Sequence, residues 1–204
     1  MLLHWSRFLS AALSPMLTPT YGVMLALWVS ILCYQSFSTR ITVLLWIFAI
    51  TCILPLLAIR ALRVLNVIND TTLRSRKQRI YPYIWAIIAH ATATYYIIKV
   101  HAPLWLILYM GGMLAGCFIL FIINYFWKIS THTAGIGSLV ALLFFMHQAK
   151  LAAFNSIWLI CLTIILAGFV GSSQIYQGRN TLSQVLVGFA VGYICTHFSI
   201  HLFY

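Results

Sequence analysis

The sequence predicts an all-α, polytopic bundle of transmembrane helices with about six to seven crossings. Two observations carry that reading. Of 204 residues, 63% are hydrophobic and only 6% are charged, whereas a soluble domain carries about 25% charged residues. Too few polar side chains exist to cover a compact monomer in water. The apolar residues also fall into runs near the ~20 residues that a helix needs to cross a bilayer core.

The elements follow in chain order. Residues 1–16 do not resemble a cleaved leader, because Arg7 interrupts the apolar stretch and no small-x-small site follows. Leu2, Leu3, Trp5, Phe8, Leu9 and Leu13 suit one side of a short interfacial helix ended by Pro15. Seven apolar segments follow near 17–35, 41–59, 82–99, 104–127, 133–148, 154–173 and 181–203, with Pro19 opening the first. Residues 60–81 form the most polar stretch and read as a basic loop. They hold Arg60, Arg63, Arg74, Arg76, Lys77, Arg79 and Asp70. The chain reads as one membrane domain over 1–204, with no separate soluble part.

Asp70 is the only carboxylate side chain, and the net charge is +11. Chemistry that needs two carboxylates within one chain is excluded, which covers glycosidase pairs, aspartic-protease dyads and dedicated magnesium cages. Cys33, Cys52, Cys117, Cys161 and Cys195 are dispersed through apolar runs with no C-x-x-C pair, so they read as small buried hydrophobes. His197 and His201 are one turn apart, but no third metal ligand accompanies them. No metal, cofactor or nucleic-acid site is expected. Gly112-x3-Gly116 and Gly188-x3-Gly192 predict close helix approach inside the bundle.

Counting crossings gives a geometric expectation. Two helices separate loop 60–81 from loop 128–132, and two more separate that loop from 174–180. All three loops therefore share one membrane face with the N-terminus. That face collects Arg7, the six loop cations, Lys128 and Arg179, leaving Arg40, Lys99 and Lys150 opposite. Converging basic and histidine residues suit an anion at the membrane surface.

The loops carry a spaced polar set. The first has Arg74, Arg76, Lys77, Arg79, Tyr81 and Pro82; the second has Lys128, Ser130, Thr131, His132 and Gly135; the third has Ser173, Gln174, Tyr176, Gly178, Arg179, Asn180, Gln184 and Gly188. This set resembles the type 2 phosphatidic acid phosphatase superfamily, which includes vanadium haloperoxidases and carries Lys-x6-Arg-Pro, Pro-Ser-Gly-His and Ser-Arg-x5-His-x3-Asp motifs. Short multi-pass members of Bacteroidetes type are the most similar, since their starts resemble Leu13-Ser-Pro15-Met-Leu17-Thr-Pro19-Thr-Tyr21.

The resemblance implies a helix bundle of lipid phosphatase type in a bacterial inner membrane, needing no metal. Its ligand would be a phosphorylated lipid or inorganic phosphate. It implies that the first-motif cations and third-motif Arg hold phosphate, that the third-motif His attacks phosphorus, and that the Asp orients it. The second-motif His protonates the leaving oxygen. Carried over, His132 is the possible general acid, and Arg74, Arg79, Ser130 and Arg179 are the phosphate-binding candidates. The substituted positions are Tyr81 for the first-motif Arg, Gln174 for the third-motif Arg, Asn180 for the nucleophile and Gln184 for the Asp. An amide nitrogen has no free basic lone pair and cannot replace that imidazole.

Each residue also has a plainer reading. His132 could cap the following helix, and the 74–79 cations could be anchors on anionic lipid. Gln174, Asn180 and Gln184 could make interhelical hydrogen bonds. Arg179 could be an exposed loop cation. The basic loops favour a cytoplasmic motif face, whereas many family members work on the outer side, and the side stays open.

Overall fold

The computed structural model describes residues 6, 10–65, 80–152 and 154–203. Among these, seven helices follow one another: α1 Thr18–Val29, α2 Phe37–Val64, α3 Ile80–Lys99, α4 Leu104–Phe126, α5 Thr131–Gln148, α6 Ile157–Tyr176 and α7 Leu182–Phe203. No sheet occurs among the described residues; one isolated bridge joins Ser30 to Ala152. α2, α4, α6 and α7 are long and apolar enough to cross a membrane. The protein is thus all-helical and membrane-embedded, while the expected six to seven crossings exceed these four.

The first expected crossing is cut short. Pro19 sits in the opening turn of α1, where a missing N–H costs nothing. The helix ends after 12 residues, about 18 Å against a core of about 30 Å. Ser30 causes the break: its Oγ donates to Ala26 O at 2.6 Å and accepts from Leu32 N at 3.1 Å. Ile31 N then donates to Leu151 O at 3.1 Å. The chain leaves the helix to satisfy the α5–α6 connection.

The second segment runs on instead. α2 covers 28 residues, about 42 Å, because Ala49–Ile53 form a π turn just before Pro55. Leu54 N bonds Ala49 O, five residues back. The wider turn absorbs the clash and lost N–H that proline brings. Arg60 and Arg63 therefore lie on exposed helix, correcting the expectation of a loop from residue 60. The rest of that loop up to residue 79, with Arg74 and Arg79, lies outside the described residues, as does most of 1–9.

α5 is the centre of the bundle. It is buried on nearly every side, as an all-round apolar helix should be, and it packs on α7, α6, α1 and α4. The two glycine pairs do what their spacing predicts. Gly112 faces the Thr196 backbone and Gly116 faces Cys195, which joins α4 to α7. Gly188 and Gly192 lie against the carbonyls of Ser130 and Ala134, which joins α7 to α5. The main core fills the half of the bundle away from the 127–130 connection, around Ile97, Trp105, Tyr109, Met110, Leu142, Leu143 and Met146. A small separate cluster of Tyr83, Leu120, Ile129 and Ala134 occupies the other half.

Candidate functional site

A cavity of about 370 Å³ opens in that second half, within the ~300–1,000 Å³ typical of ligand pockets. Its walls come from α2 (Thr51, Pro55, Ile59), α3 (Ala86, Ala89, His90), α4 (Met113, Cys117, Leu120) and α5 (Ala134, Gly135, Ser138). Its rim is built from Ser14–Met16, Pro82, Tyr83, Ile129, Thr131, His132, Gln174, Arg179 and Asn180. The start of α3, the loop before α5 and the loop after α6 therefore meet around one space. Lys128 ties the last two together by donating its ammonium to Arg179 O.

His132 is the second residue of α5, half-buried and on the cavity wall. It is not the cap. Ser130 holds that place, its side chain accepting from Thr133 N at 3.5 Å. Ser130 is 1% exposed and is not among the lining residues; its N–H bonds Gln184 O at 3.3 Å. The positive end of the helix dipole at this terminus favours an anion. Arg179 adds a full positive charge at the rim, exposed to solvent. Among the described residues no carboxylate side chain offsets these groups.

The substituted positions take other partners. Gln174 lies in the last turn of α6 rather than in a loop, because the helix runs three residues past the expected end at 173. It is 1% exposed. Its Nε2 donates to Ser10 Oγ at 3.0 Å, and its Oε1 accepts from Asn180 Nδ2 at 3.1 Å. Asn180 lines the cavity with its Oδ1 buried and unpartnered. Ser10 belongs to a wider net: Ser173 Oγ donates to Ser6 O at 2.7 Å, and Gln177 Nε2 reaches Ser6 O and Ser10 Oγ at 2.9 Å each. The N-terminal segment is thereby fastened to the end of α6.

Gln184 does not line the cavity. Its Oε1 accepts from Thr181 N at 3.1 Å, while Thr181 Oγ1 accepts from Gln184 N at 3.5 Å. This is a reciprocal capping box at the start of α7, and the Thr-x-x-Gln spacing at 181–184 announces it. Tyr81 is exposed and also outside the lining, although Pro82 is inside it. Sequence reasoning missed Ser6, Ser10 and Gln177, whose partners lie more than 160 residues away. It also missed His90, Cys117 and Thr51, which the walls bring into the cavity; nothing local in their runs marks them.

Chemically, the rim offers an imidazole and a guanidinium beside a helix N-terminus, with two amides bonded to each other. It can hold negative charge, and His132 can hold or give a proton. Neither curated proteins nor solved structures give a match. Residues 123–204, which contribute Ile129, His132, Gln174, Arg179 and Asn180 to the rim, match the family model described as PAP2 superfamily. Over that stretch the chain is similar to the type 2 phosphatidic acid phosphatase superfamily.

Proposed function

We propose that this protein recognises the phosphorylated head group of a lipid at the cavity rim and is impaired in hydrolysing it. The supporting observation is the Gln174–Asn180 pair. At the position of the family nucleophile stands an amide that donates to its neighbour at 3.1 Å. It can neither attack phosphorus nor accept the proton that attack requires. His132 and Arg179 still border the same cavity. Fixed donors suit the oxygens of a phosphoryl group whether or not it is cleaved. In this reading Arg74 and Arg79 add to the clamp from the connection between α2 and α3. The chain sits in a bacterial inner membrane with six to seven crossings, and the shorter α1 is completed by the turn at 31–34.

The decisive experiment is phosphate release by purified protein from phosphatidate, undecaprenyl diphosphate and lipid A. Little or no turnover is expected, together with binding of the phosphorylated lipid that falls at least tenfold in His132→Ala. Robust turnover abolished by His132→Ala would refute impairment and establish an active phosphatase with a rearranged site. Binding that Arg74→Ala plus Arg79→Ala leaves unchanged counts against the clamp and favours a scaffold or lipid-handling transporter. Cysteine labelling at a residue placed in 60–81 reports the side of the membrane.

A further inference from the structure

Below the rim the cavity wall carries a second group of reactive side chains. His90 on α3 and Cys117 on α4 line it, and Met113 lines it one turn before Cys117. The i, i+4 spacing puts the thioether and thiol on the same face of α4. His90 is buried, and its Nδ1 lies 2.7 Å from Ala86 O. A carbonyl only accepts, so Nδ1 carries the proton and Nε2 presents its lone pair. Cys117 Sγ stands 3.9 Å from Nε2 and 3.8 Å from Nδ1.

Imidazole, thiol and thioether together make a soft donor set, which selects Cu(I) over hard divalent ions. A backbone carbonyl holding the other ring N–H is the usual support of a metal-ligating histidine. The cavity supplies the access route. Among the described residues no three His, Cys, Asp or Glu side chains cluster; here the third donor is a methionine sulfur.

We propose that His90 Nε2, Cys117 Sγ and Met113 Sδ form a binding site for a soft monovalent cation, Cu(I) in particular. The Cys117 thiol gives its proton to solvent as the sulfur–metal bond forms, and no oxidation state changes. Thiolate and Cu(I) then sum to zero charge, which removes most of the cost of placing an ion between apolar helices. Cys117 turns about its Cα–Cβ bond to bring its sulfur into line with Nε2. The site depends on neither His132 nor Arg179, so it stands or falls apart from lipid recognition.

The test uses full-length protein in detergent, with Cys33, Cys52, Cys161 and Cys195 replaced by Ser so that Cys117 is the sole thiol. Cu(I) is delivered anaerobically from its bicinchoninate complex. One equivalent is expected to transfer, with both nitrogen and sulfur neighbours in X-ray absorption. Affinity should fall at least tenfold in His90→Gln and in Cys117→Ser, and severalfold in Met113→Leu, which conserves side-chain volume and should stay folded. Cu(I) should also raise the melting temperature of the parent but not of His90→Gln. No transfer, no melting shift in the parent, or affinity unchanged in Met113→Leu and His90→Gln overturns the site.

Discussion

The two halves of the bundle are built to different rules. In the half around Trp105, Tyr109 and Leu142, side chains from α1, α3, α4 and α5 pack into one buried core. In the half that holds Pro82, His132 and Asn180, α2, α3, α4 and α5 wall a cavity of about 370 Å³, and a small cluster packs beside it. One helix serves both: α5 contributes His132 and Gly135 to the cavity and Leu142, Leu143 and Met146 to the packed core. The polar groups concentrate where packing stops, since that is where a ligand or solvent can satisfy them.

Four measurements would break or sharpen this contrast, each readable as the melting temperature or folded yield in detergent. The largest effect belongs to the helix crossing that links the halves. A Cβ on Gly137 would collide with the Phe189 carbonyl and lie 3.0 Å from Tyr193 N. These are backbone atoms that cannot swing aside, so Gly137→Val should cost about 3 kcal/mol or more. Near-normal stability would mean that α5 and α7 are not locked together. Next comes a matched pair. Leu142→Ala, in the filled half, should cost about 3 kcal/mol. Ile59→Ala should cost about 1 kcal/mol, because that side chain already borders open volume and has fewer partners to lose. Equal losses would break the contrast between the halves.

The third measurement probes the polar net. Gln174→Leu removes the acceptor of Asn180 and one of the partners of Ser10 at once and should cost about 1–3 kcal/mol. It should also release the N-terminal segment, measured as faster proteolysis before residue 16; unchanged cleavage would show that Gln174 does not hold it. The smallest effect is Gln184→Ala, which should cost about 0.5–1 kcal/mol as a lost half of a capping box. A larger loss, or one seen only with lipid bound, would move Gln184 from a helix end into the site.

The candidate site was legible in outline. Crossing parity alone places 128–132 and 174–180 on one side, and the structure brings His132, Gln174, Arg179 and Asn180 to one rim. Arg74 and Arg79, on the same argument, lie outside the described residues. Ser130 and Gln184 illustrate what motif reading leaves out. Both stand at motif positions, yet both spend their side chains on helix ends, Ser130 before α5 and Gln184 before α7. A motif gives the residue and its spacing, but the donor that reaches it first decides its use.

By itself the sequence determined the helical class, the membrane setting and the close helix approach at the two glycine pairs. These depend on apolar period, on the solvent that side chains can tolerate and on neighbours three or four residues away. Only tertiary structure decided that α1 stops at Ser30 and that Gln174 turns to Ser10. The same holds for His90 lying beside Cys117 in a shared wall. Each of these rests on groups far apart in the chain, whose meeting is set by how the helices pack.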